Sequence, residues 1–264
     1  MNATTYYVDA TNGNDNNSGT SPATAWQTIR KINSSVFLPG DFILFKRGEI
    51  WHSQLFYFTS SGNAGNRITI GAYGEGAKPI ISGMTSVNLQ WIVYSGNIWK
   101  TNEVLEHPQR LLKDGVELLR AENMNELNTN PEIFSWLYDE TSKILYIYST
   151  NPPGSSIISI NTLIYTVFLD RNEHIIIRDI EIQGGYHLGL LVNGNYIDVI
   201  NMTVGKYSLH AIQIGYYPSS HIKDRTGFAD VSASPKVLHP HFKSIKRQSM
   251  CNKNKTIRQG RKVG

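Results

Sequence analysis

The sequence predicts an all-β protein whose strands form a parallel β-helix, and three observations support this fold class. Only 17% of the 264 residues are charged, whereas the chain has 22 Gly and 14 Tyr, a composition that favours strands and turns over helices. Short alternating apolar runs are separated by turns rich in Gly and Asn. One segment also matches a second one 22 residues later without a gap. This combination excludes a helical bundle.

The repeat is the observation that predicts stacking. When residues 174–192 are placed over residues 196–214, six apolar positions coincide, which are the pairs Ile175 and Ile197, Ile177 and Val199, Ile180 and Met202, Ile182 and Val204, Leu190 and Ile212, and Val192 and Ile214. Each copy contains three short strands, and one copy cannot bury its apolar side alone, so the copies must stack as coils. A leucine-rich repeat has a similar period, but neither copy shows its L-x-x-L-x-L pattern.

The first predicted region, residues 1–83, comprises an N-terminal cap and the first coils. A strand at Tyr6–Asp9 leads into a long polar loop. The spacing of Ile29, Ile32 and Val36 predicts one short capping helix, which the following Pro-Gly pair ends. Further short strands are expected within residues 41–51, 55–58, 67–71 and 79–82.

Three further regions follow along the chain. Residues 84–166 are predicted to form an inserted, aromatic-rich β unit, because the repeat disappears there and two aromatic strands flank a polar loop. Residues 167–217 contain the repeated coils. From about Pro218 the alternating pattern is lost and the residues are mostly polar or basic. We therefore predict that residues 218–264 are a disordered or non-native tail, and that the chain is a truncated form of a longer protein.

The charge distribution limits the partners. Residues 1–218 hold 14 basic and 19 acidic residues, a net charge of −5, whereas residues 219–264 hold 11 and 2, a net charge of +9. An acidic body argues against nucleic acid as a partner, except through the basic tail. No stretch approaches the roughly 18 apolar residues of a membrane span, so no membrane partner is expected. Cys251 is the only cysteine and cannot form an internal disulfide.

Several runs of the sequence resemble a known family. The runs YYVDATNGNDNNSGTSPATAWQTI, PGDFILFKRGEIW, GNRITIGAYGEGAKPIISG and HIIIRDIEIQGG resemble pectin-lyase-like, right-handed parallel β-helix proteins of secreted bacterial carbohydrate metabolism. The resemblance covers about Tyr6 to Tyr217. It implies a right-handed helix, an extracellular or periplasmic location with the signal peptide absent from this chain, and a polysaccharide or oligosaccharide partner.

The same resemblance leaves the activity open, because this scaffold hosts many functions. One hypothesis is an enzyme that acts on an extracellular polysaccharide, as a glycoside hydrolase or a polysaccharide lyase. The alternative is a non-catalytic carbohydrate-binding or tail-spike-like structural β-helix, or an inactive truncated fragment of a longer enzyme. The sequence names neither the sugar nor the linkage.

Two histidines are candidate catalytic residues, because an imidazole can act as a general base near neutral pH. His187 and His210 both precede or begin the third strand of their repeats, one position apart in register. Lys206 lies close by in sequence and is a candidate for the cation that a lyase needs beside a uronate carboxylate. Tyr186 and Tyr207 are the neighbouring candidates for a sugar-stacking surface.

Other candidates are carboxylates and aromatic rings. Glu181 and Asp198 are candidate catalytic carboxylates, although they fall on different strands, and a hydrolase needs both groups around one bond. Trp136, like the other tryptophans of the insert, is a candidate for sugar binding or for core packing.

Two further patterns concern loops. Asp179 and Asn201 share one position of the repeat, and we expect their side chains to form a ladder at a bend. The loop from Asp9 to Gly19 has several oxygen ligands that could bind Ca²⁺, or could instead bond to the backbone of the loop. No other cofactor is indicated.

Overall fold

The computed structural model describes residues 3–101, 107–129, 131, 135–161, 163–206, 210–214, 221–223 and 231–233. The contacts of the chain divide it into two units, Met1–Ser234 and Pro235–Gly264, and all described residues belong to the first. Neither α-helix in the described part has the length or the apolarity needed to cross a membrane.

Strands dominate the described unit. In chain order they are β1 Thr5–Val8, β2 Phe42–Lys46, β3 Ile50–His52, β4 Phe56–Phe58, β5 Ile68–Tyr73, β6 Ile80–Ser82, β7 Met84–Val87, β8 Trp91–Ser95, β9 Ile98–Thr101, β10 Arg110–Lys113 and β11 Val116–Leu118. They continue as β12 Trp136–Asp139, β13 Ile144–Tyr148, β14 Ile158–Asn161, β15 Tyr165–Arg178, β16 Glu181–Gln183, β17 Leu188–Ile200, β18 Thr203–Lys206, β19 His210–Ile214, β20 His221–Lys223 and β21 Val231–Ala233. The two helices are α1 Ile29–Asn33 and α2 Met124–Thr129.

The strands form two parallel sheets and two antiparallel ones. The largest has nine parallel strands in the order β1-β2-β5-β15-β17-β19-β21, with β4 also pairing with β15 and β20 with β17. A second parallel sheet has the order β3-β6-β16-β18. Strands that follow one another within a sheet come from successive parts of the chain, so the chain returns repeatedly to the same sheets.

The predicted 22-residue register is confirmed by the strand pairing. Ile175 pairs with Ile197 and Ile177 with Val199 between β15 and β17, and the same offset relates the partners of β16 with β18 and of β17 with β19. The sixth predicted pair, Ile180 and Met202, is fully buried. All twelve residues of these pairs belong to or pack against one apolar core, which confirms that they face a common interior.

The bends of the repeat recur at the same positions in both copies. His174 and Tyr196, 22 residues apart, have positive φ angles of 55° each, and Asp179 and Asn201 have angles of 59° and 47°. The His174 and Tyr196 rings stack with centroids 4.6 Å apart. The Asn201 amide Nδ2 donates to Oδ1 of Asp179 at 2.6 Å, which confirms the predicted ladder. Left-handed backbone is unfavourable for these residue types, so contacts between adjacent copies must hold the bends.

The N-terminal helix is shorter than the apolar spacing suggested. Ile29 and Ile32 are buried, but Val36 lies beyond the helix and is 83% exposed. The hydroxyls of Ser34 and Ser35 donate to the carbonyl of Lys31 at 3.0 Å and 2.7 Å. These local bonds compete with continued helical pairing, which explains why the helix ends at Asn33.

The segment between β7 and β14 forms the two antiparallel sheets, with the orders β11-β10-β14-β7 and β12-β13-β9-β8. These sheets enclose their own apolar clusters, separate from that of the parallel sheets. The segment therefore has a core of its own, in the part of the chain where the repeat is absent.

Two strands extend the parallel sheet beyond Tyr217, where the sequence shows no strand pattern. His221–Lys223 pairs with β17, and Val231–Ala233 pairs with β19. Expecting the coils to stop at residue 217 was therefore wrong for these two strands. Their three-residue length explains the failure, because so short a strand contains too few residues to show an alternation. Residues 224–230 and 234–264 lie outside the described residues.

Candidate functional site

The candidate site is a group of side chains on the outer surface of the nine-stranded sheet, at β4, β15 and β17. Phe56, Phe58, Val167, Leu169, Leu190 and Val192 alternate along these strands and are buried in the core. The side chains between them therefore point outward. Phe168 pairs with Tyr57 of β4 and with Leu191 of β17, so these three residues form one row across the sheet.

Aromatic rings cluster around this row. The Tyr57 and Phe168 rings lie with centroids 5.3 Å apart, and the Tyr165 ring lies 5.8 Å from that of Phe168. All three remain partly accessible. We call the surface formed by Tyr57, Tyr165, Phe168, Asp170 and Asn193 the aromatic face. Rings in this arrangement present apolar surface with a polar group at its border, as ligand sites commonly do.

Asp170 is the polar centre of the aromatic face. The Tyr57 hydroxyl donates to Oδ2 at 3.0 Å, and the Asn193 amide Nδ2 donates to Oδ1 at 2.9 Å. The hydrogen bond to Asp170, helped by burial, raises the pKa of the Tyr57 phenol. Among the described residues, no Lys, Arg or His lies within ion-pair distance of this carboxylate. Asp170 is thus held in place by neutral donors and keeps accepting capacity for a ligand hydroxyl.

His187 and Tyr186 lie at the border of the aromatic face. The His187 ring is 6.5 Å from the Tyr165 ring, and its backbone N–H donates to the carbonyl of Ile164 at 3.0 Å. The Tyr186 backbone N–H donates to the carbonyl of Leu163 at 2.6 Å. The structure therefore brings His187 next to the candidate site, whereas it makes Tyr186 part of the turn that leads into β17.

The other predicted residues of this region are only partly described. The backbone of His210 pairs with Leu188, which places His210 one position from His187 in register, as the sequence predicts. The side chains of His210 and Lys206 and the whole of Tyr207 lie outside the described residues. Their catalytic and binding roles stay predictions.

Asp198 does not lie on a solvated face. Its side chain is 8% exposed and forms an ion pair with Arg67, whose Nη1 lies 2.9 Å from Oδ2. The other terminal nitrogen, Nη2, donates to the carbonyls of Ile175 and Tyr196 at 2.7 Å and 2.6 Å. Arg67 thus connects three strands, and Asp198 neutralises it. This structural ion pair explains the burial of Asp198 and argues against a catalytic carboxylate at this position.

Glu181 lies on a different sheet from Asp198. It belongs to β16 of the four-stranded parallel sheet, where Gln183 Nε2 donates to its Oε1 at 2.5 Å. Asp198 belongs to β17 of the nine-stranded sheet. The two carboxylates therefore do not form the pair around one glycosidic bond that a hydrolase requires.

Trp136 is a core residue and not a sugar platform. The side chain is only 1% exposed, and its indole N–H donates to the carbonyl of Leu118 at 2.9 Å. The Arg120 guanidinium covers the ring at 5.5 Å from the centroid. Trp91 and Trp99 pack against the same apolar cluster. Predicting Trp136 as a substrate-binding residue was therefore wrong, because its ring has no accessible face.

The N-terminal loop uses its own carboxylates as turn acceptors. Asp9 accepts bonds from the backbone of Thr11 and Asn12 and from Lys46 Nζ at 2.8 Å. Asp15 accepts from the backbone N–H and the hydroxyl of Thr28. In the described part of the chain, no group of three or more His, Cys, Asp or Glu residues could hold a metal ion. The geometry therefore favours the backbone-bonding interpretation of this loop over Ca²⁺ binding.

Comparison with known proteins adds a link to carbohydrate chemistry. No family model matches the chain. A lacto-N-biosidase of Bifidobacterium longum is 32% identical over 149 residues, which cover 52% of this chain and 9% of that protein. Among solved structures, XylC in complex with xylose superimposes with a TM-score of 0.61 at 17% identity, over 85% of this chain and 43% of that one. A glycoside hydrolase superimposes with a TM-score of 0.55 at 10% identity, over 80% and 63% of the two chains.

The structural matches establish similarity of fold, because their sequence identities are low. The sequence match to the lacto-N-biosidase is closer, but the chain spans less than a tenth of that protein. The chain is therefore a mostly β protein with parallel sheets, similar in fold to carbohydrate-related proteins.

Proposed function

We propose that this chain is part of a right-handed parallel β-helix protein that acts on an extracellular or periplasmic oligosaccharide or polysaccharide, and that it contacts the sugar through the aromatic face. The single observation that supports this most is the placement of the Asp170 carboxylate between the Tyr57 ring and the Asn193 amide, beside Phe168. Sugars combine apolar C–H faces with hydroxyl groups, and this surface offers partners for both.

The β-helix interpretation is supported by the pairing of successive chain segments. Two parallel sheets contain strands from the same successive segments, related by a common 22-residue offset, and the same bends recur in each copy. Parallel strands joined by crossovers within one sheet are nearly always right-handed. We propose on the same grounds the division into residues 1–83, the insert 84–166 and the coils that follow.

Glycoside hydrolysis is the activity that we favour for the whole protein. The relative at 32% identity is a lacto-N-biosidase. A lyase must neutralise a uronate carboxylate with a cation, whereas the centre of the aromatic face is itself an anion. Asp170 attracts hydroxyl groups and repels carboxylates. The alternative is that this part of the protein only binds the sugar, and the separation of Glu181 from Asp198 favours that alternative for these two residues.

The proposal can be tested with a glycan array followed by calorimetric titration of the bound glycans, including neutral glycans of the lacto-N series and xylo-oligosaccharides. Phe168→Ala removes the central ring and Asp170→Asn removes the acceptor charge. We expect each to weaken binding about tenfold or more, because a hydrogen bond to a charged group contributes about 1.5–3 kcal/mol. Tyr57→Phe, which keeps the ring, should weaken binding less than Phe168→Ala.

Tyr94→Ala is the matched control, because Tyr94 is an exposed aromatic residue on β8, far along the chain in the insert. It should bind glycans like the unchanged protein. Equal affinities for all variants would contradict a role for the aromatic face. Hydrolysis products, if they accumulate with the unchanged protein and not with Asp170→Asn, would decide for catalysis over binding alone.

A further inference from the structure

A second cluster of polar side chains lies in the insert, at the end of β12. Glu140 follows this strand, and its carboxylate contacts two cationic or titratable side chains from other segments. Oε2 lies 2.7 Å from His107 Nδ1, and Oε1 lies 3.2 Å from Arg120 Nη2. About 38% of the His107 side chain, 36% of Arg120 and 47% of Glu140 are exposed, so solvent and ligands reach the cluster.

Buried aromatic rings support this cluster from below. The His107 ring lies 5.4 Å from that of Tyr138, and the Arg120 guanidinium lies over Trp136. Tyr138 and Trp136 are 2% and 1% exposed and belong to the core of the insert. The two polar side chains therefore rest on a fixed surface, and the bonds to Glu140 fix their orientation.

The bond to Glu140 determines the proton position on His107. An ionised carboxylate only accepts, so Nδ1 of His107 must donate, and Nε2 is left for another partner. The nearest group is Arg120 Nη1, at 3.5 Å. While the imidazole is neutral, Nε2 can accept from Arg120, and the three side chains form a closed ring with no net charge.

Protonation of His107 opens this ring. Nε2 and Nη1 then both donate, 3.5 Å apart, on the side away from Glu140, and the cluster has a net charge of +1. Two such donors converge on a position that suits an oxygen of an anion. The charged groups in contact with His107 are Glu140 and Arg120, and the Tyr138 ring packs against it. The neighbouring Asp139 bonds to Ser142 and the backbone of its own turn.

We propose that His107 and Arg120 form a binding site for the carboxylate group of an acidic sugar, open at mildly acidic pH. The site is distinct in residues from the aromatic face, whose centre is an anion, and does not depend on the function proposed for that face. The two sites would let one protein contact neutral and acidic sugar units at different places.

The test is calorimetric titration with glucuronate at pH 5.5 and pH 7.5, with glucose as the neutral probe. Glucuronate should bind at pH 5.5 and about tenfold more weakly at pH 7.5, because an imidazole loses its charge over this range. Arg120→Gln and His107→Gln should each weaken binding at pH 5.5 about tenfold. Glucose should show no binding at this site.

Arg178→Gln is the matched control, because Arg178 is an exposed arginine paired with a carboxylate, Asp179, outside the insert. It should bind glucuronate like the unchanged protein. Circular dichroism and the melting temperature establish that each variant is folded, and Arg120→Lys, which keeps the charge, should recover part of the affinity. Absence of glucuronate binding at pH 5.5, or unchanged binding in both His107→Gln and Arg120→Gln, would overturn the proposal.

Discussion

Asp9 shows how one buried carboxylate can stabilise the N-terminal end of the protein. It is 5% exposed and lies between the backbone of the polar loop and the Lys46 ammonium group, which also contacts Glu49 at 3.2 Å. Burial acts to raise the pKa of Asp9, but the bonds from Lys46 and from the backbone of Asn12 outweigh it and lower the pKa to about 2. The ionised form is therefore the one that the folded protein prefers.

This lowered pKa predicts an acid-sensitive contribution to stability. A carboxyl group whose pKa falls on folding stabilises the protein above its unfolded value of 3.8, and this contribution is lost as the pH falls from about 4 to about 2. We expect Asp9→Asn to lower the free energy of unfolding by about 2 kcal/mol at pH 7. The difference between variant and unchanged protein should disappear near pH 2.

Urea unfolding at pH 7 and pH 2.5 measures both values. Glu75→Gln serves as the control, because Glu75 is an exposed carboxylate in a loop. A loss of stability in Asp9→Asn that is the same at both pH values would show that packing, rather than the charge of Asp9, stabilises the loop.

At the scale of elements, the stacking of strands depends on which face each residue occupies. Ile180 lies at a bend between β15 and β16 and is fully buried in the core of the parallel sheets. We expect Ile180→Asp to unfold the protein, because an unpaired buried carboxylate costs several kcal/mol. Ile50→Asp is the matched control, since Ile50 on β3 is 41% exposed beside a buried tryptophan.

Thermal unfolding followed by circular dichroism distinguishes the two variants. Ile50→Asp should keep a melting temperature close to that of the unchanged protein. A folded Ile180→Asp variant with an unchanged melting temperature would contradict the inward position of this residue.

A single bulge on β15 hid the aromatic face from sequence analysis. Asp170 pairs with Asn193, an offset of 23 residues, whereas Asn172 pairs with Gly194, an offset of 22. The extra residue, Arg171, has a φ angle of 56° at this irregularity. A gapless alignment at 22 residues therefore stops short of Phe168 and Asp170. An alignment that allowed one insertion would have placed Phe168 over Leu191 and Asp170 over Asn193.

At the scale of the whole molecule, the parallel sheet extends past the point where the strand pattern ends. The strands β20 and β21 pair with β17 and β19, and the first contact unit extends to Ser234. Removal of residues 235–264 should therefore leave the melting temperature nearly unchanged, because the described strand pairs all remain. Removal of residues 218–264 should lower it, since β17 and β19 then lose paired backbone groups.

The melting temperatures of the two shortened chains, measured side by side, check this prediction. Equal values would place the end of the folded unit near Tyr217, where the sequence pattern stops. A large loss on removing residues 235–264 alone would contradict the boundary at Ser234.

The sequence by itself determined the β class, the register of the repeated strands and the residues that face the interior. It could do so because burial in a stacked sheet imposes a period on apolar residues, and that period is written in the order of the chain. The pairing of Asp179 with Asn201 followed from the same period. The short helix was also predictable in position, but its end depended on serine hydroxyls that periodicity does not report.

Only the tertiary structure decided which polar side chains meet. Arg67 reaches Asp198 across 131 positions of the chain, Tyr57 reaches Asp170 across 113, and neither separation is a multiple of the repeat. Trp136 became a core residue through the packing of the insert, which no local pattern specifies. Outward side chains are free of the burial constraint that produces a period, so their partners are fixed by where the backbone brings them, and the candidate sites of this protein consist of such side chains.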